Sequence, residues 1–166
     1  TSTFAGDKVS ATILEVIQGP CVKNQIHFAL NTELIEIINR LMRAQMVHDC
    51  DEDEEVTLKR TCVDILQALL EGQVYRSEVY ERVLSVIHFD IIQTTASPII
   101  GEDGEEVELT EDQETLKTEC TVLLQMLADY KPELRYELGL GEAIDVVGKE
   151  VGCVEVMWMG TLQRRF

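Results

Sequence analysis

Ile17-Gln18-Gly19-Pro20-Cys21-Val22-Lys23-Asn24-Gln25 decides how this chain is read. It lies between two apolar segments with helical spacing. Gly19 frees the backbone from the helical basin. Pro20 disfavours the α conformation at Gly19 and suits the opening of a following helix. The stretch is therefore a hard corner between two helices. Many helices end at Gly-Pro. A Gln before the Gly, a Cys directly after the Pro, and then Asn24-Gln25 make a less common pattern.

Helical periodicity continues on both sides of the corner. Before it, a segment from about Asp7 to Gln18 sets Val9, Ile13, Val16 and Ile17 on one face. After it, a short helix is expected from Cys21 to about Leu30. A third begins at an Asn31-Thr32 cap and carries Leu34, Ile38, Leu41 and Met42 on one stripe. An acidic loop, Asp49 to Glu55, is expected next. A fourth helix, about Val56 to Leu70, holds Leu58, Cys62, Leu66 and Leu69 in register, and Gly72 closes it. A fifth, about Ser77 to Gln93, aligns Val79, Val83, Ile87 and Ile91.

The pattern then breaks. Thr94 to Glu108 contains Ser97-Pro98 and Gly101-Glu102-Asp103-Gly104 and reads as a loop. Thr110-Glu111-Asp112-Gln113 is a capping box. It opens a helix with Leu116, Cys120, Leu123, Leu124 and Leu127 on its face, ended by Lys131-Pro132. A short helix near Gly141 to Lys149 is expected, then a strand from Val151 to Met159 and a turn at Gly160-Thr161. The organisation is thus a helical region over 1–93, an acidic loop over 94–110, C-terminal helices over 111–150 and the start of a β segment over 151–166. The fold class is all-α. Antiparallel helices on short links suit an armadillo- or HEAT-like solenoid fragment with a short C-terminal β-strand or hairpin. A plain helical bundle fits the composition equally.

A chain of 166 residues, 45% hydrophobic, is one ordinary domain with enough apolar side chains for a core. Aromatics are only 5%, so Leu, Ile and Val carry that core, which favours helix packing. The formal net charge of −17 repels nucleic acid and anionic membrane surfaces and suits cations or basic partners. Cys21, Cys50, Cys62, Cys120 and Cys153 are odd in number, and no pair has C-x-x-C spacing. Neither a disulfide framework nor a zinc site is expected, and a reducing compartment fits. No stretch is long enough for a transmembrane helix and no signal peptide is apparent, so no membrane insertion is expected. The chain reads as an excised fragment of something longer.

Catalytic signatures are missing. His27, His48 and His88 lie in different segments; His27 follows the corner and His88 lies among apolar residues, and neither of these two has an obvious nearby carboxylate and nucleophile in sequence. No P-loop, dinucleotide fingerprint or nucleophile elbow occurs. The expectation is that the chain is not an enzyme. The acidic runs Asp49–Glu55 and Gly101–Glu106 lack EF-hand ligand spacing and read as solvated loops.

Glu15 is the residue that stands out for chemistry. A two-residue step rotates about 200° around a helix, so Glu15 points away from Ile13 and Ile17. It lies in the last turn before Gly19, where the dipole disfavours a carboxylate by a few tenths to about 1 kcal/mol. The last carbonyls of a helix are also unpaired. A carboxylate beside free carbonyl oxygens suits a hard cation, and calcium takes about six to eight oxygen ligands.

The corner resembles the signature of intracellular calcium-release channels, the inositol trisphosphate and ryanodine receptors. Their shared receptor-homology-associated cytosolic domain carries Gln-Gly-Pro-Cys-x-x-Asn-Gln after a helix, matched here at Gln18, Gly19, Pro20, Cys21, Asn24 and Gln25. Leu69-Leu70-Glu71-Gly72 resembles a helix end of the ryanodine branch. The acidic stretch from Gly101 to Glu106, the helix at Cys120 to Tyr130, and Cys153-Val154-Glu155-Val156 with Gln163-Arg164-Arg165-Phe166 look like the inositol trisphosphate branch, to which the chain is closer. The resemblance implies an armadillo solenoid between the ligand-binding region and the pore of a homotetrameric channel. It implies a place on the cytosolic face of the endoplasmic reticulum or a related calcium store. Its partners would be other segments of the same channel polypeptide and neighbouring subunits. In this family the glutamate three residues before the motif gives a carboxylate to the activating calcium site, and Glu15 falls there. The remaining ligands would come from outside this chain, so the isolated fragment would bind calcium weakly. The alternative expectation is a soluble acidic armadillo-type scaffold that binds basic peptides.

Overall fold

A computed structural model describes residues 3–19, 21–44, 52–73, 77–100 and 104–140. The described residues form seven α-helices: α1 (Thr3–Ile17), α2 (Val22–Leu30), α3 (Leu34–Arg43), α4 (Glu52–Leu70), α5 (Ser77–Val86), α6 (Phe89–Ala96) and α7 (Glu111–Tyr130). A 3₁₀ turn, Pro132–Leu134, follows. Among these residues there is no strand, only an isolated antiparallel bridge between Ile100 and Glu106. The all-α class therefore holds. The expected helix near Gly141 to Lys149 and strand from Val151 to Met159 lie outside the described residues, as do Pro20, His48, Cys50 and Cys153.

The fold is organised around α4, which packs against α1, α2, α3, α5 and α7. Cys62, Val63, Ile65, Leu66, Ala68, Leu69 and Leu70 are all buried, so its C-terminal half is covered on nearly every side. α7 lies between α4 and α6. Its face is the expected one: Leu116, Cys120, Leu123, Leu124 and Leu127 are buried. The capping box forms at its start. Gln113 N donates to Thr110 Oγ1 at 3.3 Å, and Thr110 N donates to Gln113 Oε1 at 3.0 Å. Such a cap stabilises by about 1 kcal/mol.

Four expectations are corrected. The run Glu52 to Glu55 is not loop but the first turn of α4. Asp53 and Glu54 complement the positive end of the helix dipole, and Glu55 pairs with Lys59 one turn on. On α1, Val9 and Val16 are exposed, at 59% and 39%, and the face turned to the core is Ile13, Leu14 and Ile17. The cap of α3 is also different. Its N-cap is Glu33, which makes no side-chain cap bond, while the Thr32 hydroxyl accepts from Leu34 N at 3.2 Å.

The fourth correction is the largest. The helix expected over Ser77 to Gln93 is two helices, broken at Ile87 and His88. Asn39 on α3 accepts a hydrogen bond from His88 N at 2.9 Å. That N–H has left the helical ladder, and the break adds one residue to the apolar stripe. Val79, Val83 and Ile87 are buried as expected, but the next buried residue is Ile92, not Ile91.

Beyond α6, Val107 N donates to Ile99 O at 2.8 Å, which folds the acidic loop back on itself. Gly104 there has φ +82°. No helix among the described residues is long and apolar enough to cross a membrane.

Candidate functional site: the corner after α1

The corner is made by backbone first. α1 closes with Gln18 N donating to Leu14 O at 2.8 Å. Gly19 follows at φ +81°, in the left-handed region that a side chain disfavours. Cys21 N donates to Gly19 O at 2.8 Å, and Cys21 O then accepts from Asn24 N and Gln25 N, which starts α2.

Two amides of that first turn reach back. Asn24 Nδ2 donates to Val16 O at 2.9 Å. Gln25 is 1% exposed, and its Nε2 lies 2.8 Å from Ala68 O and 3.2 Å from Ile17 O. Glu71 O and Gly19 O are farther, at 3.3 and 3.4 Å. An amide nitrogen has two protons, so Ala68 O and Ile17 O are the principal acceptors. One side chain thereby caps the C-terminal ends of both α1 and α4. Gln73 is fully buried, and its Nε2 donates to Gln25 Oε1 at 2.6 Å. The Gln73 partner was not legible in sequence. Gly72, φ +70°, marks the end of α4, but nothing local says that the next residue turns inward.

Glu15 is exposed on α1. The carbonyls just after it are not free as expected: Val16 O and Ile17 O are taken by Asn24 and Gln25. Glu15 thus stands beside two carbonyls that each already accept a side-chain amide proton. Among the described residues, no group of three or more His, Cys, Asp or Glu could hold a metal. Calcium's demand for several oxygens could be met at Glu15 only with ligands from elsewhere. Cys21 is an exposed free thiol. Cys62 and Cys120 are buried, and burial pushes both thiols up to about 12. His27, on α2, and His88, just before α6, are exposed.

Beside the corner, α1 and α7 stand as two walls over α4 and leave a cleft of about 620 Å³. Its floor is the α4 face with Arg60, Asp64 and Gln67, continued by Glu71 just past the helix end; Leu14 of α1 and Gln18 just past its end line one wall, Glu119, Val122 and Met126 of α7 the other. Arg60 lies 3.5 Å from Glu119 and 3.6 Å from Asp112. Burial, and next the charge of Asp64, raise Glu119 above the usual carboxylate range, against the pull of Arg60. Sequence periodicity could not reveal this cleft, because Arg60 and Asp64 sit on what reads as the polar face of α4.

Comparison with known proteins returned no matching family model, no matching curated relative and no matching solved structure.

Proposed function

We propose that this chain is a cytosolic regulatory module of a tetrameric, ligand-gated intracellular calcium-release channel, acting from the cytosolic face of a calcium-store membrane. Its helices would continue as an armadillo-like solenoid, and its partners would be other segments of the channel and neighbouring subunits. The observation that carries this reading is the corner itself. The motif residues Asn24 and Gln25 hold the end of α1 by hydrogen bonds, and Glu15 stands exposed one turn before it.

Glu15 would hold calcium together with ligands supplied by other parts of the channel. The ion would contribute charge neutralisation and a bridge between segments. The chain's own part is positioning. Gln25 ties the end of α1 to the end of α4, so a displacement of the Glu15 helix is passed to the central helix of the domain. A ligand shifts a gate only by its difference in affinity between two arrangements.

The test is calcium-dependent release from the full-length channel, wild type against Glu15→Gln. A marked shift of activation to higher calcium, with assembly intact, is expected. An unchanged calcium response would sink the ligand role of Glu15.

A further inference from the structure

We propose that the cleft between α1, α4 and α7 is a docking groove for a basic amphipathic helix, with two Arg or Lys residues seven apart on one face. This rests on the cleft alone and not on calcium binding at Glu15.

The argument begins with the floor. Asp64 lies on α4 and Glu71 directly follows its last residue, held to the helix by Glu71 N donating to Gln67 O at 2.9 Å, so the two stand two turns, or about 10 Å, apart along the axis. Both line the cleft. A helix laid along α4 presents its own residues at that same interval. Glu119 adds a third carboxylate from the α7 wall. Its Oε2 is buried and has no hydrogen-bond partner. Asp64 beside it cannot donate while ionised, so the pair lacks a cation on that side. Arg60 is the one basic residue lining the cleft, and it is already shared between Glu119 and Asp112.

The walls supply the apolar part. Val122 is 45% exposed on the side of α7 turned to the cleft. Leu14 and Met126 face the same space. Apolar residues of the incoming helix, set between its two cations, would cover them. Charge complementarity chooses the occupant: carboxylates exceed cations along the groove, and the whole chain carries −17. Helix-in-groove recognition combines such apolar anchors with flanking charge.

The test uses the full 166-residue chain and a fluorescein-labelled, Ala-based helical peptide of about 15 residues, carrying two Arg residues two turns apart with Leu between them on the same face. A peptide of identical composition, with its Arg residues moved off one face, is the control. Fluorescence anisotropy is read for wild type and three variants. The first is Asp64→Asn/Glu71→Gln/Glu119→Gln. The second is Glu54→Gln/Glu78→Gln/Glu133→Gln, which removes the same charge from exposed positions elsewhere. The third is Val122→Asn, which removes the apolar contact without adding charge at a site open enough to leave the fold intact; thermal melting checks this for each.

The groove variant and Val122→Asn should each weaken binding about tenfold or more, and the remote variant by less than about threefold. The control peptide should bind as weakly as the first peptide binds the groove variant. Equal loss in the groove and remote variants would mean bulk charge attraction and overturn the proposal. So would failure of the first peptide to bind folded wild type. A wild-type dimer that Val122→Asn converts to monomer would overturn it too, because a second copy would then be the occupant.

Discussion

Gln25 serves three buried groups at once, and its removal has a calculable cost. In Gln25→Leu the volume is nearly kept, but three buried groups lose their partner: Ala68 O, Ile17 O and Gln73 Nε2. Each buried polar group left unsatisfied costs about 1–3 kcal/mol. The two carbonyls lie at helix ends, where rearrangement can admit water, so the lower half of that range applies. The sum is about 3–7 kcal/mol, a large part of the roughly 5–15 kcal/mol that holds a domain together. With a urea m-value of about 2 kcal/mol/M, the midpoint followed by circular dichroism should fall by about 1.5–3.5 M. Gln25→Glu separates hydrogen bonding from packing. Its carboxylate would face carbonyl oxygens and could not donate, so the loss at neutral pH should be at least as great. Protonation restores one donor, so part of that loss should return as the pH is lowered. A double-mutant cycle with Gln73→Leu should show a coupling of about 1 kcal/mol or more. A Gln25→Leu loss under about 1 kcal/mol would refute the reasoning, since the double cap would then carry no net stability.

Three further outcomes follow from the same structure. Gly19→Ala should cost about 1–2 kcal/mol by urea denaturation, all of it from φ +81°, because a Cβ there meets nothing within 4 Å. Native alkylation with iodoacetamide, mapped site by site, should modify Cys21 readily and leave Cys62 and Cys120 unmodified until the chain unfolds, since their thiols are buried and pushed up to about 12. Glu119 is raised in the folded state, so between the usual carboxylate range and its raised value the folded chain binds more protons than the unfolded one, and stability from this group rises as the pH falls through that window. Wild type should therefore gain stability relative to Glu119→Gln on mild acidification, and a parallel pair of pH profiles would contradict that assignment.

The elements were largely legible because local rules fixed them. The capping box at Thr110 and Gln113, the stop at Gly72 and the corner at Gly19 each combine a special residue with an apolar run. Long-range competition was not legible. The break between α5 and α6 depends on Asn39, 49 residues before His88, drawing a backbone N–H out of the ladder. The pattern Val79, Val83, Ile87, Ile91 gives no warning, because an apolar residue also stands at position 92 to take over the stripe. The same holds at the site. That Asn24 and Gln25 turn back on α1 could be anticipated from the corner. That Gln25 also reaches α4 required knowing which helix packs there.

That second reach changes what can be asked of Glu15. Free carbonyls at the end of α1 would have made it the nucleus of a local cation site. Instead those oxygens are used to fasten the helix. The corner therefore gives up ligands in exchange for a fixed angle of α1. This makes sense for a module that supplies one carboxylate in a set orientation to a site completed by others, and little sense for an autonomous calcium binder. If Glu15 is a ligand in the assembled channel, Gln25→Leu should alter the calcium dependence of release although Gln25 is buried and touches no ion. The readout is the calcium giving half-maximal release in folded, assembled channels. A normal value in Gln25→Leu, beside a shifted one in Glu15→Gln, would mean that Glu15 binds but that its tether to α4 has no part in positioning it.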